Sequence, residues 1–220
     1  MRNDLTELVF ILDRSGSMQG LENDTIGGFN SVLERNKALP GDANVTTILF
    51  DNRIEILHDR QPIRSVAPIT ESDYYVRGST ALLDAVGQGI CKIDNVLKHT
   101  AEDYRAGKVQ FVIVTDGMEN ASYEYTLPRV KQLISQRREQ GWDFIFLGAN
   151  MDAVSVAENM GIHHDRAVTA MADHQSVPLQ YEAIACATEA WRGGYEPTAD
   201  WKRHVEDDTK KRSGFSFRRK

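Results

Sequence analysis

The chain has 220 residues and a formal net charge of −6 at pH 7, a length that suits one large α/β domain better than two small ones. Its apolar fraction of 41% and charged fraction of 26% are ordinary for a soluble globular protein. The acidic balance disfavours nucleic-acid binding by the domain as a whole. No apolar run of the sequence has the length of a transmembrane helix.

The amino-terminal apolar run is too short for a secretory signal and ends in a charged residue, Asp13. Cys91 and Cys186 lie far apart, each within a pattern typical of a helix. A disulfide between them stays open, but a reduced pair of small core residues is the simpler interpretation. Together these features predict a cytoplasmic protein that does not associate with membranes.

Residues 8–12 are continuously apolar, as is typical of a central strand buried on both faces. A polar turn follows the strand, beginning at Asp13. Ser15 and Ser17 are alternate residues of this turn and can point the same way, while Gly16 permits a tight backbone. The sequence therefore predicts that three oxygen-bearing side chains converge above the end of the strand.

A helix is predicted from Leu21 to about Ala38, although Gly27-Gly28 in its middle costs about 1 kcal/mol per glycine relative to alanine. We expect this helix to approach a strand or the Ser15–Ser17 loop closely at that point. A helix that begins only after Gly28 is the alternative. The β-rich runs 45–50 and 53–58 follow, and the short turn between them predicts an antiparallel hairpin at one edge of the sheet.

The next helix is predicted from about Ala81 to Leu97, with Ser79 or Thr80 as its N-cap and Asp84 near the positive end of its dipole. The apolar run 109–114 then forms a second buried strand. It ends in Thr115-Asp116-Gly117, so an aspartate again follows the carboxyl end of a buried strand.

Helices and strands continue to alternate along the rest of the chain. The predicted elements are a helix between Thr126 and Gly141, a strand at 142–147, a short helix from about Gly148 to Gly161, a strand at 167–171 and a helix from Pro178 to Trp191. This alternation predicts an α/β fold, an open, doubly wound, mostly parallel sheet with one antiparallel edge strand and helices on both faces. We expect the domain to span residues 1–195, and the charged residues 196–220 to form a flexible tail.

Ligands of open α/β sheets bind beyond the carboxyl ends of the strands, where Asp13 and Asp116 are expected. If their strands are neighbours, the two carboxylates repel each other, and a divalent cation would relieve that repulsion. With Ser15, Ser17 and Thr80 the donor set is all oxygen, which suits Mg²⁺, Mn²⁺ or Ca²⁺; few carboxylates and several small hydroxyls favour Mg²⁺. A hydrogen-bonded turn without metal is the alternative for residues 13–17.

The order Asp13-x-Ser15-x-Ser17, then Thr80, then Asp116-Gly117 resembles the metal-ion-dependent adhesion site (MIDAS) of von Willebrand factor type A (VWA) domains. The resemblance covers about residues 5–160. It implies a metal held by the three hydroxyls, with both aspartates bound directly or through water.

The same resemblance implies a binding module rather than an enzyme, in which an Asp or Glu of a protein partner completes the metal coordination. It is closest to the stand-alone intracellular bacterial or phage type of VWA domain. Relatives of that type often work beside AAA-type ATPases or in stress and metal-resistance systems.

A metal-dependent phosphoryl-transfer enzyme is the alternative function, because aspartates at strand ends also hold Mg²⁺ in phosphatases. Phosphatases with an aspartyl nucleophile typically have a second acid two residues after the first, and that position is Ser15 here. Nucleic-acid binding through the basic end of the chain is a third hypothesis, which the acidic body disfavours.

Other residues near the motifs have two interpretations each. Glu119 is either an outer-sphere ligand or a solvated loop residue, and Asn150 and Asp152 are most simply helix caps. His163-His164 lacks Cys or further His at ligand spacing, so we interpret it as a loop rather than a metal site. Five residues could form a contact rim around the metal: Arg14, Met18, Tyr74, Tyr75 and Arg77.

Overall fold

The computed structural model describes residues 1–216, and the side chains of residues 1–213. The strands are β1 (Arg2–Asp13), β2 (Asp42–Phe50), β3 (Ile54–Pro62), β4 (Ala106–Thr115), β5 (Asp143–Ala149) and β6 (Ala167–Ala170). The α-helices are α1 (Glu22–Lys37), α2 (Leu82–His99), α3 (Leu127–Glu139), α4 (Ala153–Asn159), α5 (Ser176–Arg192) and α6 (Arg203–Ser216).

Within the described residues the strands form one sheet in the order β3-β2-β1-β4-β5-β6. Strand β3 pairs antiparallel with β2 at one edge, and the other pairings are parallel. The predicted open, mostly parallel α/β sheet with an antiparallel edge strand is thus confirmed. Because β2 lies on one side of β1 and β4 on the other, the strand order reverses between β1 and β4, where such sheets bind ligands.

Two apolar cores cover the two faces of the sheet, and β1 contributes to both. Leu8, Phe10 and Leu12 pack with residues of α1, α5 and α6 on one face. Val9 and Ile11 pack with residues of α2, α3 and α4 on the other. Alternate residues of a strand point to opposite faces, so a strand buried on both is continuously apolar. Burial of β1 on both faces therefore explains the continuous apolar run from which this strand was predicted.

Helix α1 runs unbroken through Gly27-Gly28, as predicted, but the neighbour at this point is neither a strand nor the Ser15–Ser17 loop. A Cβ atom on Gly28 would lie 2.3 Å from Cδ2 of Tyr181 in α5. The glycine therefore permits α1 and α5 to pack closely through the tyrosine ring. A residue from a helix about 150 positions later is not visible in the local sequence pattern.

Two helix starts differ from the predictions. Helix α2 begins at Leu82 with Ala81 in the N-cap position, so neither Ser79 nor Thr80 caps it. Helix α4 begins at Ala153 rather than near Gly148, because β5 continues to Ala149.

Of the two residues predicted to cap helices, Asp152 caps α4 and Asn150 does not. Asp152 does cap the helix, since its Oδ1 accepts a hydrogen bond from the Ser155 amide at 3.1 Å. Asn150 instead lies in the preceding turn, with a φ of 55°.

The expectation of a frayed tail from residue 196 is wrong for residues 199–216. They form a 3-10 turn (Ala199–Lys202) followed by α6. Trp201 and Val205 are buried against the sheet, and this burial favours an ordered helix over a solvated chain. The basic residues 218–220 lie outside the described part of the chain, and a domain boundary at residue 195 stays a prediction.

In the described part of the chain both cysteines are free thiols. Cys91 is partly buried, whereas Cys186 is exposed on α5 rather than in the core as expected. None of the helices described here combines the length and apolar character that a membrane crossing requires.

Candidate metal centre

The two predicted aspartates lie at the ends of adjacent strands. Leu12 of β1 pairs with Val114 of β4, which brings Asp13 and the residues after Thr115 to the same edge of the sheet. Ser17 Oγ donates a hydrogen bond to Asp116 Oδ1 at 2.5 Å. Ser15 Oγ lies 2.9 Å from Ser17 Oγ. The first turn and the end of β4 therefore meet, as their sequence patterns predict.

Thr80 reaches the same place from the loop that precedes α2. A Cβ atom on Gly117 would lie 2.6 Å from Thr80 Oγ1, 3.0 Å from Ser17 Oγ and 3.5 Å from Ser15 Oγ. Three hydroxyl oxygens thus surround one point beside Gly117. The absence of a side chain at Gly117 keeps that point open.

The Asp13 carboxylate is held firmly inside the protein. Its Oδ1 accepts a hydrogen bond from the Ser15 amide at 2.7 Å, and its Oδ2 accepts one from Thr115 Oγ1 at 2.5 Å. The Tyr74 hydroxyl donates to the Asp13 backbone carbonyl. Burial raises the pKa of Asp13 to about 6, against the opposing effect of its hydrogen bonds with Ser15 and Thr115.

Asp116 is buried with less compensation than Asp13. It is 7% exposed, and its Oδ2 has no hydrogen-bond partner among the described residues. Burial also raises its pKa above the ordinary value. A desolvated carboxylate oxygen without a donor, beside a cradle of hydroxyls and a second carboxylate, fits a small hard cation.

The Thr80 loop is fixed by the segment that follows Asp116. Asn120 Oδ1 accepts a hydrogen bond from the Thr80 amide at 2.9 Å, and the Asn120 amide donates to the Thr80 carbonyl at 3.0 Å. Glu119 accepts from the amides of Leu83, Ala121 and Ser122. It therefore binds backbone at the start of α2, a role that neither prediction for Glu119 included.

Asp84 also holds the loop after β4. Its carboxylate accepts hydrogen bonds from the amides of Tyr123, Glu124 and Tyr125, at 2.7 to 3.0 Å. Asp84 does lie in the first turn of α2, as predicted, near the positive end of the helix dipole. Its carboxylate also accepts hydrogen bonds from the loop after β4, which the prediction did not include. Glu119 and Asp84 therefore both join the first turn of α2 to the loop after β4.

An ion-pair network with two fully buried members, Arg14 and Asp51, adjoins the first turn. The Arg14 guanidinium donates to Asp51 at 3.0 Å and to Glu55 at 2.7 Å, and Arg77 donates to Asp51 at 2.7 Å. The Arg77 amide also donates to the Arg14 carbonyl. This network joins the first turn, the β2–β3 turn and the loop before Thr80. Sequence reasoning missed it because its hydrogen-bonded side-chain pairs are 26 to 41 positions apart.

The predicted contact rim is only partly at the surface. Arg14, Met18 and Tyr74 are buried, so they cannot touch a partner. Tyr75 is exposed and Arg77 is half-buried, with its guanidinium 5.4 Å from the Tyr75 ring centre. The open depression at the centre is lined instead by Ser79, Met118 and Asn120, together with neighbouring glycines and four of the five predicted ligands, all except Asp13.

Comparison with solved structures identifies the class of fold. The von Willebrand factor domain of the type V pili tip protein Mfa5 from Porphyromonas gingivalis aligns with a TM-score of 0.58 at 11% identity, over 87% of this chain and 96% of that one. A von Willebrand factor type A protein from Catenulispora acidiphila aligns with a TM-score of 0.57 at 13% identity, over 84% of this chain and 42% of that one. The chain therefore has the fold of a VWA domain.

Proximal thread matrix protein 1 from the mussel byssus, in a structure with a zinc-occupied MIDAS motif, aligns with a TM-score of 0.55 at 16% identity. The alignment covers 82% of this chain and 44% of the mussel protein, so this chain spans less than half of that relative. No family model matches the sequence, and no curated protein sequence matches it. At these identities the likeness establishes the fold.

Proposed function

We propose that this chain is a non-enzymatic protein-interaction module whose Mg²⁺ centre binds a carboxylate of its partner. The observation that carries the proposal is the convergence of two buried carboxylates and three hydroxyls on one open point at the carboxyl edge of the sheet. The sequence pattern, the geometry and the VWA fold support the same site.

Asp13, Ser15, Ser17, Thr80 and Asp116 would hold the ion. Two carboxylates balance the two positive charges of Mg²⁺, and the remaining donors are neutral hydroxyls. Bound there, the cation supplies a positive centre that attracts one further anionic oxygen. The all-oxygen set favours Mg²⁺, with Mn²⁺ or Ca²⁺ as substitutes. The zinc-occupied motif of the mussel protein is a precedent for a divalent ion in this fold.

The surroundings of the centre favour binding over phosphoryl transfer. Ser15 occupies the position where aspartyl phosphatases carry their second acid, and its hydroxyl belongs to the proposed ligand set. The depression at the centre is open, so a protruding side chain of another protein can reach it. An Asp or Glu of the partner is the simplest such ligand.

The resemblance to intracellular VWA proteins extends the proposal to a location and a kind of partner. We expect the chain to act in the cytoplasm, beside an AAA-type ATPase or a stress or metal-resistance component. The location rests on the sequence features described above, and the kind of partner rests on the family resemblance.

Affinity capture on the immobilised chain tests the proposal. Proteins retained from a lysate of the source cells are compared in Mg²⁺ and in EDTA, for the native chain and for Ser17→Ala. Ser79→Ala is the matched control, because Ser79 is an exposed hydroxyl in the same depression outside the proposed ligand set.

The expected result is a partner that is retained in Mg²⁺ by the native chain and by Ser79→Ala, and lost in EDTA and with Ser17→Ala. A partner that binds equally well in EDTA would contradict the proposal. Turnover of a generic phosphate ester that disappears in Asp13→Ala would favour the enzyme instead.

A further inference from the structure

The turn between α4 and β6 carries a second group of metal-binding side chains. His163, His164 and Asp165 each offer one ligand atom within 4.8 Å of the others. The turn precedes β6, so it lies at the amino edge of the parallel strands, opposite the candidate Mg²⁺ centre. The sequence pattern alone argued against a site here, because His163 and His164 lack Cys or further His at ligand spacing.

The spacing of these atoms suits tetrahedral coordination. Asp165 Oδ2 lies 3.3 Å from His163 Nδ1, and Asp165 Oδ1 lies 3.2 Å from His164 Nε2. Nitrogen and oxygen ligands at the usual distances from a tetrahedral zinc ion are about 3.3 Å apart. Two of the three pairs of ligand atoms therefore already lie at the separation that a bound ion would require, and the third pair lies within 4.8 Å. His163 Nδ1 also accepts a hydrogen bond from the Asp165 amide at 3.3 Å, which a bound ion would replace.

Glu158 of α4 lies near one of these ligands. Its Oε1 is 3.6 Å from His164 Nδ1, while Nε2 of the same ring faces Asp165. This separation is longer than a hydrogen bond, so Glu158 adds negative charge beside the ring without fixing its orientation. That charge favours a cation at the site.

Two buried side chains hold the backbone of this turn. Lys202 Nζ donates to the His164 carbonyl at 2.7 Å, and Trp201 Nε1 donates to the Asp165 carbonyl at 2.8 Å. Both residues belong to the segment expected to be frayed. Ligands carried on a rigid backbone lose little conformational entropy when an ion binds.

The positive charges packed around the turn have carbonyl or carboxylate partners of their own and do not contact the ligand atoms. Lys202 also donates to the Ala167 carbonyl and lies 3.4 Å from Glu206. The Arg166 guanidinium donates to Asp143 at 2.8 Å. The ligand side chains themselves face solvent, since the side chains of His163, His164 and Asp165 are each about half exposed.

We propose that His163, His164 and Asp165 form a second metal site, selective for a borderline transition ion such as Zn²⁺ and independent of the Mg²⁺ centre. Imidazole nitrogens suit Zn²⁺, Cu²⁺ and Ni²⁺, whereas Mg²⁺ prefers oxygen. Water completes the coordination at this exposed position. The chain thus carries a hard-ion site at one edge of the sheet and a borderline-ion site at the other.

Calorimetric titration with Zn²⁺ in excess Mg²⁺ tests the second site. The full chain is used with Asp116→Asn, which disables the centre at the carboxyl edge. This variant is expected to bind one Zn²⁺. Adding His164→Gln should weaken that binding at least tenfold, and adding His99→Gln, an exposed histidine on α2, should leave it unchanged.

Equal Zn²⁺ binding by the His164→Gln and His99→Gln chains would overturn the proposal, as would no binding in the Asp116→Asn parent. The native chain provides a second readout that needs no variant. Zn²⁺ should shift the imidazole NMR signals of His163 and His164 and leave those of His99 and His174 in place. Shifts confined to other residues would also overturn the proposal. Either result leaves the Mg²⁺-dependent capture of a partner untouched.

Discussion

Asp13 and Asp116 are buried in the folded chain, and this burial destabilises the ionised form of both carboxyl groups. Burial raises the pKa of both carboxyl groups, and Asp116 Oδ2 lacks a donor among the residues the structure describes. Such groups weaken a fold unless a ligand compensates them. The centre is therefore expected to stabilise the protein only when an ion is bound.

Asp116→Asn separates the cost of the buried charge from the stabilisation by bound Mg²⁺. Without metal, the neutral amide removes a desolvated charge, so we expect the free energy of unfolding to rise. With Mg²⁺ at 100 times its Kd the native chain should gain about 2.7 kcal/mol, and the variant should gain nothing. Chemical denaturation in Mg²⁺ and in EDTA measures both. A variant that Mg²⁺ stabilises as much as the native chain would show that the carboxylate is not a ligand.

The pH dependence of Mg²⁺ affinity follows from the same carboxyl groups. The pKa of Asp13 rises from 3.8 to about 6 on folding, and that of Asp116 rises as well. The folded state therefore binds protons more tightly than the unfolded state, so the metal-free free energy of unfolding falls as pH rises from about 4 to about 6. Mg²⁺ competes with these protons.

Mg²⁺ affinity should accordingly increase as pH rises through about 6 and level off above it. Calorimetric titrations at several pH values, in buffers of matched ionic strength, measure this dependence. An affinity that is flat across the interval would mean that neither carboxyl group contributes to the site.

Gly117→Ala tests the cradle of hydroxyls. The new Cβ would lie 2.6 Å from Thr80 Oγ1 and must displace that hydroxyl or the turn beside it. We expect Mg²⁺ affinity to fall at least tenfold, which is about 1.4 kcal/mol. Gly16→Ala is the control, because its Cβ would meet the Gly78 carbonyl at an acceptable 3.4 Å. Equal Mg²⁺ titrations for the two variants would contradict the proposed geometry.

The ligand-bearing residues could be proposed from the sequence, whereas their supports could not. Ser15 and Ser17 lie close to Asp13 in the chain, and Asp116 follows a recognisable buried strand. The side chains that position them are distant in sequence. Thr115 meets Asp13 from 102 positions away, and Asn120 meets Thr80 from 40. Only the folded sheet brings such partners together.

At the scale of elements, the close packing of α1 on α5 depends on one of two adjacent glycines. The ring of Tyr181 occupies the space beside Gly28. A Cβ atom added to Gly27 would meet no atom of the described residues within 4 Å, apart from its own helix backbone and chain neighbours. The sequence shows both glycines equally, so it cannot tell which one is required.

Gly28→Ala and Gly27→Ala should therefore change stability in opposite directions. At Gly28 the methyl group overlaps the tyrosine ring, and we expect a loss of about 1–3 kcal/mol in the free energy of unfolding. At Gly27 the alanine gains helix propensity, and we expect a gain of about 0.5–1 kcal/mol. Urea denaturation of the two variants checks both signs. A loss at both positions would show that the helices pack differently.

Element types were easier to predict than element ends. The start of α2 illustrates this, because Ser79 and Thr80 are both good N-cap residues in isolation. Thr80 is instead engaged with Asn120 and the candidate metal centre, so Ala81 occupies the cap position. The local N-cap preference of Ser79 and Thr80 is therefore overridden by tertiary contacts at the candidate centre.

At the scale of the whole molecule, the strand order explains why the centre lies where it does. The chain moves from β1 to β2 on one side and returns to β4 on the other. The crevice between the carboxyl ends of β1 and β4 then receives the first turn, the Thr80 loop and the end of β4. The alternating sequence pattern predicted the sheet class, and the buried Trp201 and Val205 show where it underestimated the folded region.

Diffraction from crystals soaked in Mn²⁺ tests the central claim most directly. The anomalous signal of Mn²⁺ distinguishes the ion from water and from the light atoms of the protein. We predict one strong peak among the hydroxyls of Ser15, Ser17 and Thr80, next to Asp13 and Asp116. An Mn²⁺-soaked crystal with no peak between these side chains would contradict the account.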